Sequence, residues 1–308
     1  HTTRLEARSC GSCHRNDQAL GIIDTFHAKE NPFLIYLSFY NVHTPLQAPK
    51  EMVQKYQEQA KKIKGDEFGP EEQVWPGAKQ RRVRILQKHA TYAAMVEKMD
   101  QAVGKVLNKL TELGIEKETI ICFTSDNGGL STSEGSPTSN LPLRGGKGWV
   151  YEGGIREPFI IKYPSLINAG TSNVPVISTD FYPTILELAE IDQRPKQHLD
   201  GISLAAVLKD PKSNPKRDSL YWHYPHYSNQ GGFPGGAIRE GKMKLIERYE
   251  DGRIHLFDLN NDPGERNDIA KMHPKTVLSM RTKLHKWYEQ VNAKFLQPKG
   301  SNIDPWKP

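Results

Sequence analysis

The sequence is poor in cysteine and contains no long apolar run. Only three cysteines, Cys10, Cys13 and Cys122, occur in 308 residues, which excludes a disulfide framework as the main source of stability. The longest apolar run is Phe33–Tyr40, far shorter than the roughly 20 residues that span a bilayer. No charged segment followed by an apolar one opens the chain, so we expect no membrane partner and see no signal peptide.

The composition is 36% hydrophobic and 25% charged, which is typical of a globular protein rather than a disordered one. A formal net charge of +6 favours anionic partners such as nucleic acid, phosphate esters or sulfated polysaccharide. Much of the excess lies in runs such as Lys61-Lys62 and Arg81-Arg82, which are more typical of a solvated surface than of a binding site. Charge alone therefore identifies no partner.

One short motif contains two of the cysteines. Cys10-Gly-Ser-Cys13-His14 matches the C-x-x-C-H pattern that attaches c-type haem. A haem also needs an apolar pocket, and residues 4–18 are polar without apolar periodicity. We therefore favour a chance match or a structural role, and we disfavour a zinc site because there is no second cysteine pair.

Apolar runs alternate with amphipathic segments in the first two thirds of the chain. Buried strands are predicted at Phe33–Tyr40, Thr119–Thr124 and Pro158–Tyr163, and a long helix from about Arg82 to Leu113 lies between the first two. This order predicts an α/β fold with a largely parallel sheet between helices. Further helices are predicted at residues 18–29, 50–62 and 178–191.

After Leu220 the pattern changes to short segments separated by turn residues. Strands are predicted at residues 220–224, 236–240, 242–247 and 253–259. An amphipathic helix at about Pro274–Val291 is suited to pack on them. The sequence thus predicts a main α/β domain over residues 1–210 and a small α+β subdomain over residues 211–308, with an antiparallel sheet and a helix.

Two polar loops follow predicted strands. In Ser125–Gly129, Asp126 and Asn127 offer adjacent oxygen ligands to a hard cation such as calcium. In Val42–Pro45, His43 is suited to act as a general acid or base. Ligands gather at the carboxyl ends of parallel strands, so we expect both loops at one crevice. A plain turn and a structural histidine are the open alternatives.

The segment Leu143–Pro158 is rich in glycine and contains several cations. Arg144, Lys147 and Arg156 offer positive charge to an anionic tetrahedral group, and glycines let the backbone approach a ligand closely. For Arg156 and Glu152 we expect a structural ion pair. The segment does not match the P-loop pattern.

Three motifs in this order resemble those of the type I sulfatases, in the arylsulfatase group. They are Asn41-Val42-His43-Thr44-Pro45, Ser125-Asp126-Asn127-Gly128 and Gly146–Pro158, and the likeness covers roughly residues 31–270. The resemblance implies an alkaline-phosphatase-like fold, in which residues 1–210 are the C-terminal portion of the catalytic domain, and a sulfuric ester hydrolase activity.

The same resemblance implies roles for individual residues. Asp126 and Asn127 would bind one calcium ion, His43 would contact the leaving-group oxygen, and Lys147 would bind the sulfate. His223 and His226, with the aromatic residues beside them, are interpreted as a rim that binds a sulfated small molecule or polysaccharide. An aromatic-rich edge strand is the alternative for that rim. Nucleic acid is not an expected partner.

The resemblance does not extend to three features that the family carries ahead of these motifs. These are an Asp-Asp pair, a C-x-P-x-R or S-x-P-x-R segment that yields the formylglycine nucleophile, and a G-K-W-H segment. We therefore expect the formylglycine site to be absent, the chain to be inactive alone, and a sheet edge to be exposed. The family resemblance implies a secreted or periplasmic protein. A non-catalytic sulfated-glycan-binding remnant and a phosphoester hydrolase of the same superfold are the alternatives.

Overall fold

The computed structural model describes residues 2–5, 12–71 and 81–297. Its strands are β1 Thr2–Leu5, β2 Leu34–Leu37, β3 Phe68–Pro70, β4 Arg82–Arg84, β5 Ile121–Thr124, β6 Phe159–Lys162, β7 Leu220–Tyr224, β8 Gly235–Glu240, β9 Met243–Arg248 and β10 Ile254–Asp258. Its helices are α1 Ser12–His27, α2 Lys50–Lys61, α3 Ala90–Glu112, α4 Glu152–Ile155, α5 Phe181–Leu188, α6 Ala205–Lys209 and α7 Pro274–Gln290.

The chain forms two compact units. The first unit comprises residues 1–67, 86–121 and 163–165, and the second comprises residues 68–85, 122–162 and 166–308. The division into residues 1–210 and 211–308, which the change of sequence pattern after Leu220 indicates, stays a prediction. The side chains of the C-x-x-C-H motif, Cys10, Cys13 and His14, lie outside the described part of the chain.

The first unit is built around α3, which contacts both α1 and α2. Ala94, Ala102 and Leu110 recur every eight residues, about two helical turns, and are buried on one face of α3. The helix ends before Gly114, whose φ of 70° is readily adopted by glycine. The predicted end of this helix at about Leu113 is confirmed. Of its larger apolar residues, Met95 and Leu110 are buried, whereas Val96 is 41% exposed.

The predicted start of α3 near Arg82 is wrong, because residues 82–84 form β4. This strand pairs antiparallel with β3, and Arg84 is opposite Phe68. The guanidinium of Arg84 also lies 4.6 Å from the centroid of the Phe68 ring, a favourable cation–π distance. Pairing with a distant strand thus outweighs the local helical pattern.

Strand β2 is covered on one face only. Leu34 and Tyr36 are 50% and 63% exposed, whereas Ile35 and Leu37 are half-buried. Among the described residues, β2 pairs only with β1, in parallel. The prediction that this strand is buried on both faces is therefore wrong for the described chain, while the unpaired edge agrees with the expected exposed sheet edge.

The C-terminal sheet has the predicted strands and is antiparallel, in the order β7-β8-β9-β10. Successive residues of a strand face opposite sides, and β9 shows the consequence. Leu245 packs with Leu284 of α7 on one face, whereas Ile246 packs with Trp149 and Tyr151 on the other. The sheet therefore holds the end of the glycine-rich loop against its second face.

Strands β5 and β6 form a separate pair in the structure. Together with the helices and the C-terminal sheet, they give the mixed α/β architecture that the sequence predicts. Within the part of the chain that the structure describes, no helix has the length and apolar character needed to cross a bilayer.

Candidate functional site

Two loops meet beside β5 and β6 in the second unit. Residues 125–129 follow β5, and the glycine-rich residues 143–157 precede β6. The backbone amide of Lys147 donates a hydrogen bond to the carbonyl oxygen of Gly129 at 3.2 Å, and the amide of Gly128 donates to that of Gly154 at 3.1 Å. The structure thus joins the two sequence segments that carry Asp126 and Lys147.

The contact between these loops is close enough to require glycine. A Cβ atom at position 128 would lie 1.7 Å from the carbonyl oxygen of Gly153, and one at position 146 would lie 2.3 Å from that of Gly129. A larger side chain at either position would force the loops apart.

Asp126 and Asn127 present oxygen atoms on the first loop. The Asp126 side chain is exposed, and the Asn127 amide nitrogen donates to Gly128 at 3.1 Å. Nearby, burial and the Asp126 carboxylate raise the pKa of Glu157 to about 7, and the Oε1 atom of Glu157 is buried without a hydrogen-bond partner. The carboxylates of Asp126 and Glu157 are therefore close enough to interact, and the amide of Asn127 lies next to Asp126 in the chain.

This donor set fits part of a site for a hard divalent cation. Calcium prefers carboxylate and amide oxygens and takes 6–8 of them. The described residues contain no group of three or more His, Cys, Asp or Glu residues that could hold a metal ion. Asp126 and Asn127 would therefore supply only some of the ligands, and calcium binding stays a prediction.

Of the three predicted cations, Arg144 has an internal role. Its guanidinium lies 2.9 Å from the buried Glu71 carboxylate, donates to the carbonyl oxygen of Glu265 at 3.0 Å, and lies 4.1 Å from the centroid of the Tyr151 ring. Arg144 thus fixes the glycine-rich loop to the rest of the second unit. Lys147 is half-buried on that same loop.

Arg156 and Glu152 form the expected structural pair. Their charged atoms lie 3.8 Å apart. Glu152 also lies 2.9 Å from Lys244, which makes this carboxylate part of a buried charge network. Neither residue is assigned to the site.

His43 belongs to the first unit, whereas Asp126, Asn127 and Lys147 belong to the second. The Asn41 amide donates to the carbonyl oxygen of Met95 on α3 at 3.0 Å, which fixes the loop within the first unit. The Nδ1 atom of His43 lies 2.8 Å from the carbonyl oxygen of Thr44. The role of His43 and its convergence with the other site residues stay predictions.

His223 and His226 have different surroundings. The ring nitrogens of His223 lie 2.6 Å from the Tyr249 hydroxyl and 2.7 Å from the carbonyl oxygen of Lys294, and burial lowers its pKa. His226 is exposed and stacks edge-on with Tyr224 at 5.4 Å. The geometry favours a structural role for His223 and leaves the imidazole of His226 on the surface, while substrate binding by either residue stays a prediction.

The loop after β7 lies directly against the segment that follows Lys147. A Cβ atom at Gly148 would lie 2.9 Å from Gln230 and 2.9 Å from Ser228. The Thr132 hydroxyl donates to the carbonyl oxygen of Gln230 and accepts from the Trp149 indole at 3.0 Å. His226 therefore belongs to a loop that packs against Gly148, the residue after Lys147.

The letters S-x-P-x-R do occur once, at Ser213-Asn214-Pro215-Lys216-Arg217, which corrects the expected absence of the pattern. Arg217 donates to both carboxylate oxygens of Asp180, whose side chain is fully buried. Ser213 lies in a turn in which its amide donates to Asp210 at 2.9 Å. The structure gives this segment a packing role outside the two loops of the site.

Sequence reasoning missed Asn140, which hydrogen-bonds to both loops through its side chain. It precedes Leu141 and Pro142 in a stretch that reads as an ordinary turn. An asparagine before a proline in a loop carries no periodic signal. Only the folded chain shows what it contacts.

Comparisons with known proteins agree on one family. The family model described as "Sulfatase" matches residues 11–191, and the one described as "N-sulphoglucosamine sulphohydrolase, C-terminal" matches residues 146–294. A protein named "Sulfatase" from Formosa agariphila is 33% identical over 90% of this chain and 50% of its own length. Arylsulfatase J of Mus musculus is 28% identical over 91% of this chain and 49% of its own. The chain thus spans about half the length of these relatives.

Solved structures show the same likeness. The crystal structure of Ps i-CgsB in complex with k-i-k-neocarrahexaose is 28% identical, with a TM-score of 0.73 over 93% of this chain and 57% of that one. The structure of BT4656, at 19% identity, matches 96% of this chain and 73% of its own with a TM-score of 0.75. At that identity the likeness shows the fold alone.

Proposed function

Because this chain belongs to the sulfatase family, we propose that it forms the part of a sulfate-ester hydrolase that binds the sulfate group. One observation carries the proposal. The Lys147 amide donates to Gly129 at 3.2 Å, so the cation expected to hold the sulfate and the oxygen ligands Asp126 and Asn127 lie on loops that touch.

Each residue has a proposed task in this reaction. The ammonium of Lys147 attracts one sulfate oxygen as a point charge and stabilises the negative charge that develops there. A divalent cation, when bound to Asp126 and Asn127, would supply further positive charge to the sulfate oxygens. His43 is proposed to give a proton to the leaving alcohol oxygen.

We propose that the nucleophile comes from polypeptide outside these 308 residues. The chain spans about half of its curated relatives, and its only S-x-P-x-R segment is tied to the buried Asp180 through Arg217. The apolar face of β2, with Leu34 and Tyr36 at 50% and 63% exposure, supports the presence of a covering segment. Alone, the chain is proposed to bind and not to turn over.

A sulfated sugar is the proposed substrate. The relative Ps i-CgsB was solved with a neocarrahexaose, and the loop that carries His226 is fastened beside Lys147 through Trp149 and Thr132. Exposed imidazole and phenol groups on such a rim are suited to hydrogen-bond and stack with sugar rings. Export to the periplasm or outside the cell is part of the same proposal and is tested by cell fractionation.

The test is a sulfatase assay with a chromogenic aryl sulfate, calcium and a sulfated oligosaccharide. The 308-residue chain is compared with a form extended upstream as its source gene encodes. We expect turnover only in the extended form, and Lys147→Met should lower that turnover by roughly 100–1,000-fold. Lys209→Met, at an exposed position, is the matched control.

Other outcomes are equally informative. Turnover by the short chain would contradict the proposed origin of the nucleophile, and mass spectrometry of the peptide with Ser213 would show whether that serine has lost two hydrogens to become formylglycine. Binding without turnover by the extended form would favour the non-catalytic glycan-binding alternative. Cleavage of phosphate esters in preference to sulfate esters would favour the phosphoester alternative.

A further inference from the structure

Asn140 joins the two loops of the site through three hydrogen bonds. Its Oδ1 atom accepts from the amide of Gly129 at 3.1 Å. Its Nδ2 atom donates to the carbonyl oxygens of Gly129 at 2.8 Å and Gly145 at 2.9 Å. One side chain thus pairs with both the N–H and the C=O of Gly129, as a neighbouring strand would.

The packing around Asn140 fixes this arrangement. A Cβ atom at Gly146 would lie 2.6 Å from the Asn140 amide nitrogen and 2.6 Å from the Ser131 hydroxyl. Ser131 is fully buried, and its hydroxyl donates to Gly145 at 2.9 Å. The Asn140 amide is therefore held against the glycine-rich loop from two sides, and a change of rotamer would cost all three bonds.

Each end of this junction carries a residue of the proposed site. Gly129 ends the loop that presents Asp126 and Asn127, and Gly145 is two residues before Lys147. The carbonyl oxygen of Gly129 accepts from both the Asn140 side chain at 2.8 Å and the Lys147 amide at 3.2 Å. The two loops therefore share one hydrogen-bond acceptor.

We infer that Asn140 is a positioning residue that couples the two loops, so that a divalent cation at Asp126 and Asn127 and an anion at Lys147 strengthen each other's binding. The inference rests on the proposed function. Coupling of this kind is reciprocal, because each ligand shifts the same two-loop arrangement toward the geometry that the other prefers. Asn140 contacts neither ligand.

Residue-resolved amide hydrogen exchange on the 308-residue chain tests the coupling. Asn140→Leu removes all three bonds with little change in size, and Asn140→Asp keeps the acceptor for Gly129 but loses the donors. Asn173→Asp, at an exposed position of the same unit, controls for the added charge. Without calcium, both Asn140 variants should raise exchange at the Lys147 amide about tenfold, the equivalent of one or two lost hydrogen bonds.

Calcium chloride provides the second readout. In the unaltered chain, calcium should protect the amide of Lys147 as well as that of Gly129. In Asn140→Leu, this protection should stop at Gly129. A purely structural role would instead raise exchange through the whole second unit, including β9, and would leave the transmission of the calcium effect in place.

The outcomes separate the inference from the proposal on which it rests. Unchanged exchange at Lys147 in both Asn140 variants, or calcium protection of Lys147 that persists in Asn140→Leu, would overturn the coupling. Absence of any calcium effect in the unaltered chain would count against the proposed cation site, while the calcium-free comparison would still decide whether Asn140 links the loops.

Discussion

The ammonium of Lys244 lies 2.9 Å from a carboxylate oxygen of Glu152. It also lies 2.9 Å from Glu265, so that one buried cation serves two buried carboxylates. Burial opposes the ionisation of both acids. At Glu152 the positive charges of Lys244, Arg239 and Arg156 together outweigh burial and lower the pKa. At the more deeply buried Glu265 burial dominates, and the pKa is raised.

Lys244→Met should therefore be strongly destabilising. It would leave two carboxylates close together in the interior without their shared cation, and the loss of one partner of a buried ion pair typically costs about 3–5 kcal/mol. Urea denaturation, followed by the intrinsic fluorescence of the tryptophans, would measure the free energy of unfolding.

Lys242 is the control for this prediction. It precedes β9 and lies 2.8 Å from Asp258, but 53% of its side chain is exposed. Exposed pairs contribute about 0–1 kcal/mol, so Lys242→Met should leave stability almost unchanged. Equal effects of the two substitutions would show that the buried Lys244 contributes no more to the free energy of unfolding than the exposed Lys242 does.

Gly128→Ala should destabilise the junction of the two loops. Its Cβ would lie 1.7 Å from the carbonyl oxygen of Gly153, so the backbone has to move, at a cost of roughly 1–3 kcal/mol. Thermal unfolding and calcium titration of the variant would measure the effect. A variant with unchanged unfolding temperature would contradict the close approach of these backbones.

Gly104→Ala should have the opposite effect. Gly104 lies within α3, and a Cβ there would meet no atom within 4 Å. Alanine restricts the unfolded chain and favours the helix, so we expect a gain of about 0.5–1 kcal/mol in the free energy of unfolding. The same urea titration that serves the other variants would measure this gain, and a loss of stability would show that the helix surface is more crowded there than it is in the structure.

His223 should make stability depend on pH. Burial lowers its pKa, so the folded state binds a proton less readily than the unfolded state. Its contribution to stability is complete above the ordinary histidine pKa of about 6.5 and is lost as pH falls below it. Urea midpoints at about pH 7.5 and about pH 5.5 should differ less in His223→Gln than in the unaltered chain. Equal differences would show that His223 titrates normally.

The antiparallel sheet could be predicted because its signal is local. Alternating residues and turn glycines lie within each hairpin, and the paired strands β8 and β9 are separated by only two residues. The helical character and the end of α3 could also be predicted, because the apolar periodicity and the glycine that stops the helix lie within one segment. Such elements can be predicted without knowing which distant residues they contact.

The remaining features depend on partners far apart in the sequence. The sequence predicts helix where β4 forms, because the contacts that stabilise this strand, with β3 and with the backbone of Ser131, are not visible locally. Similarly, His223 in an aromatic strand gave no sign of its bonds to Tyr249 and Lys294. Asn140 was missed for the same reason, since its three partners are backbone groups that only the folded loops bring together.

The contacts of Arg144 determine when its loop can fold during synthesis. It reaches back 73 residues to Glu71 and forward 121 residues to Glu265, so its two partners leave the ribosome at very different times. While the chain is being synthesised, the guanidinium can neutralise Glu71, but its bond to the carbonyl oxygen of Glu265 can form only after that residue has been translated. The loop that carries Lys147 should therefore acquire its final shape only after Glu265 has been synthesised, and nascent chains released before that point should contain an unfinished anion site.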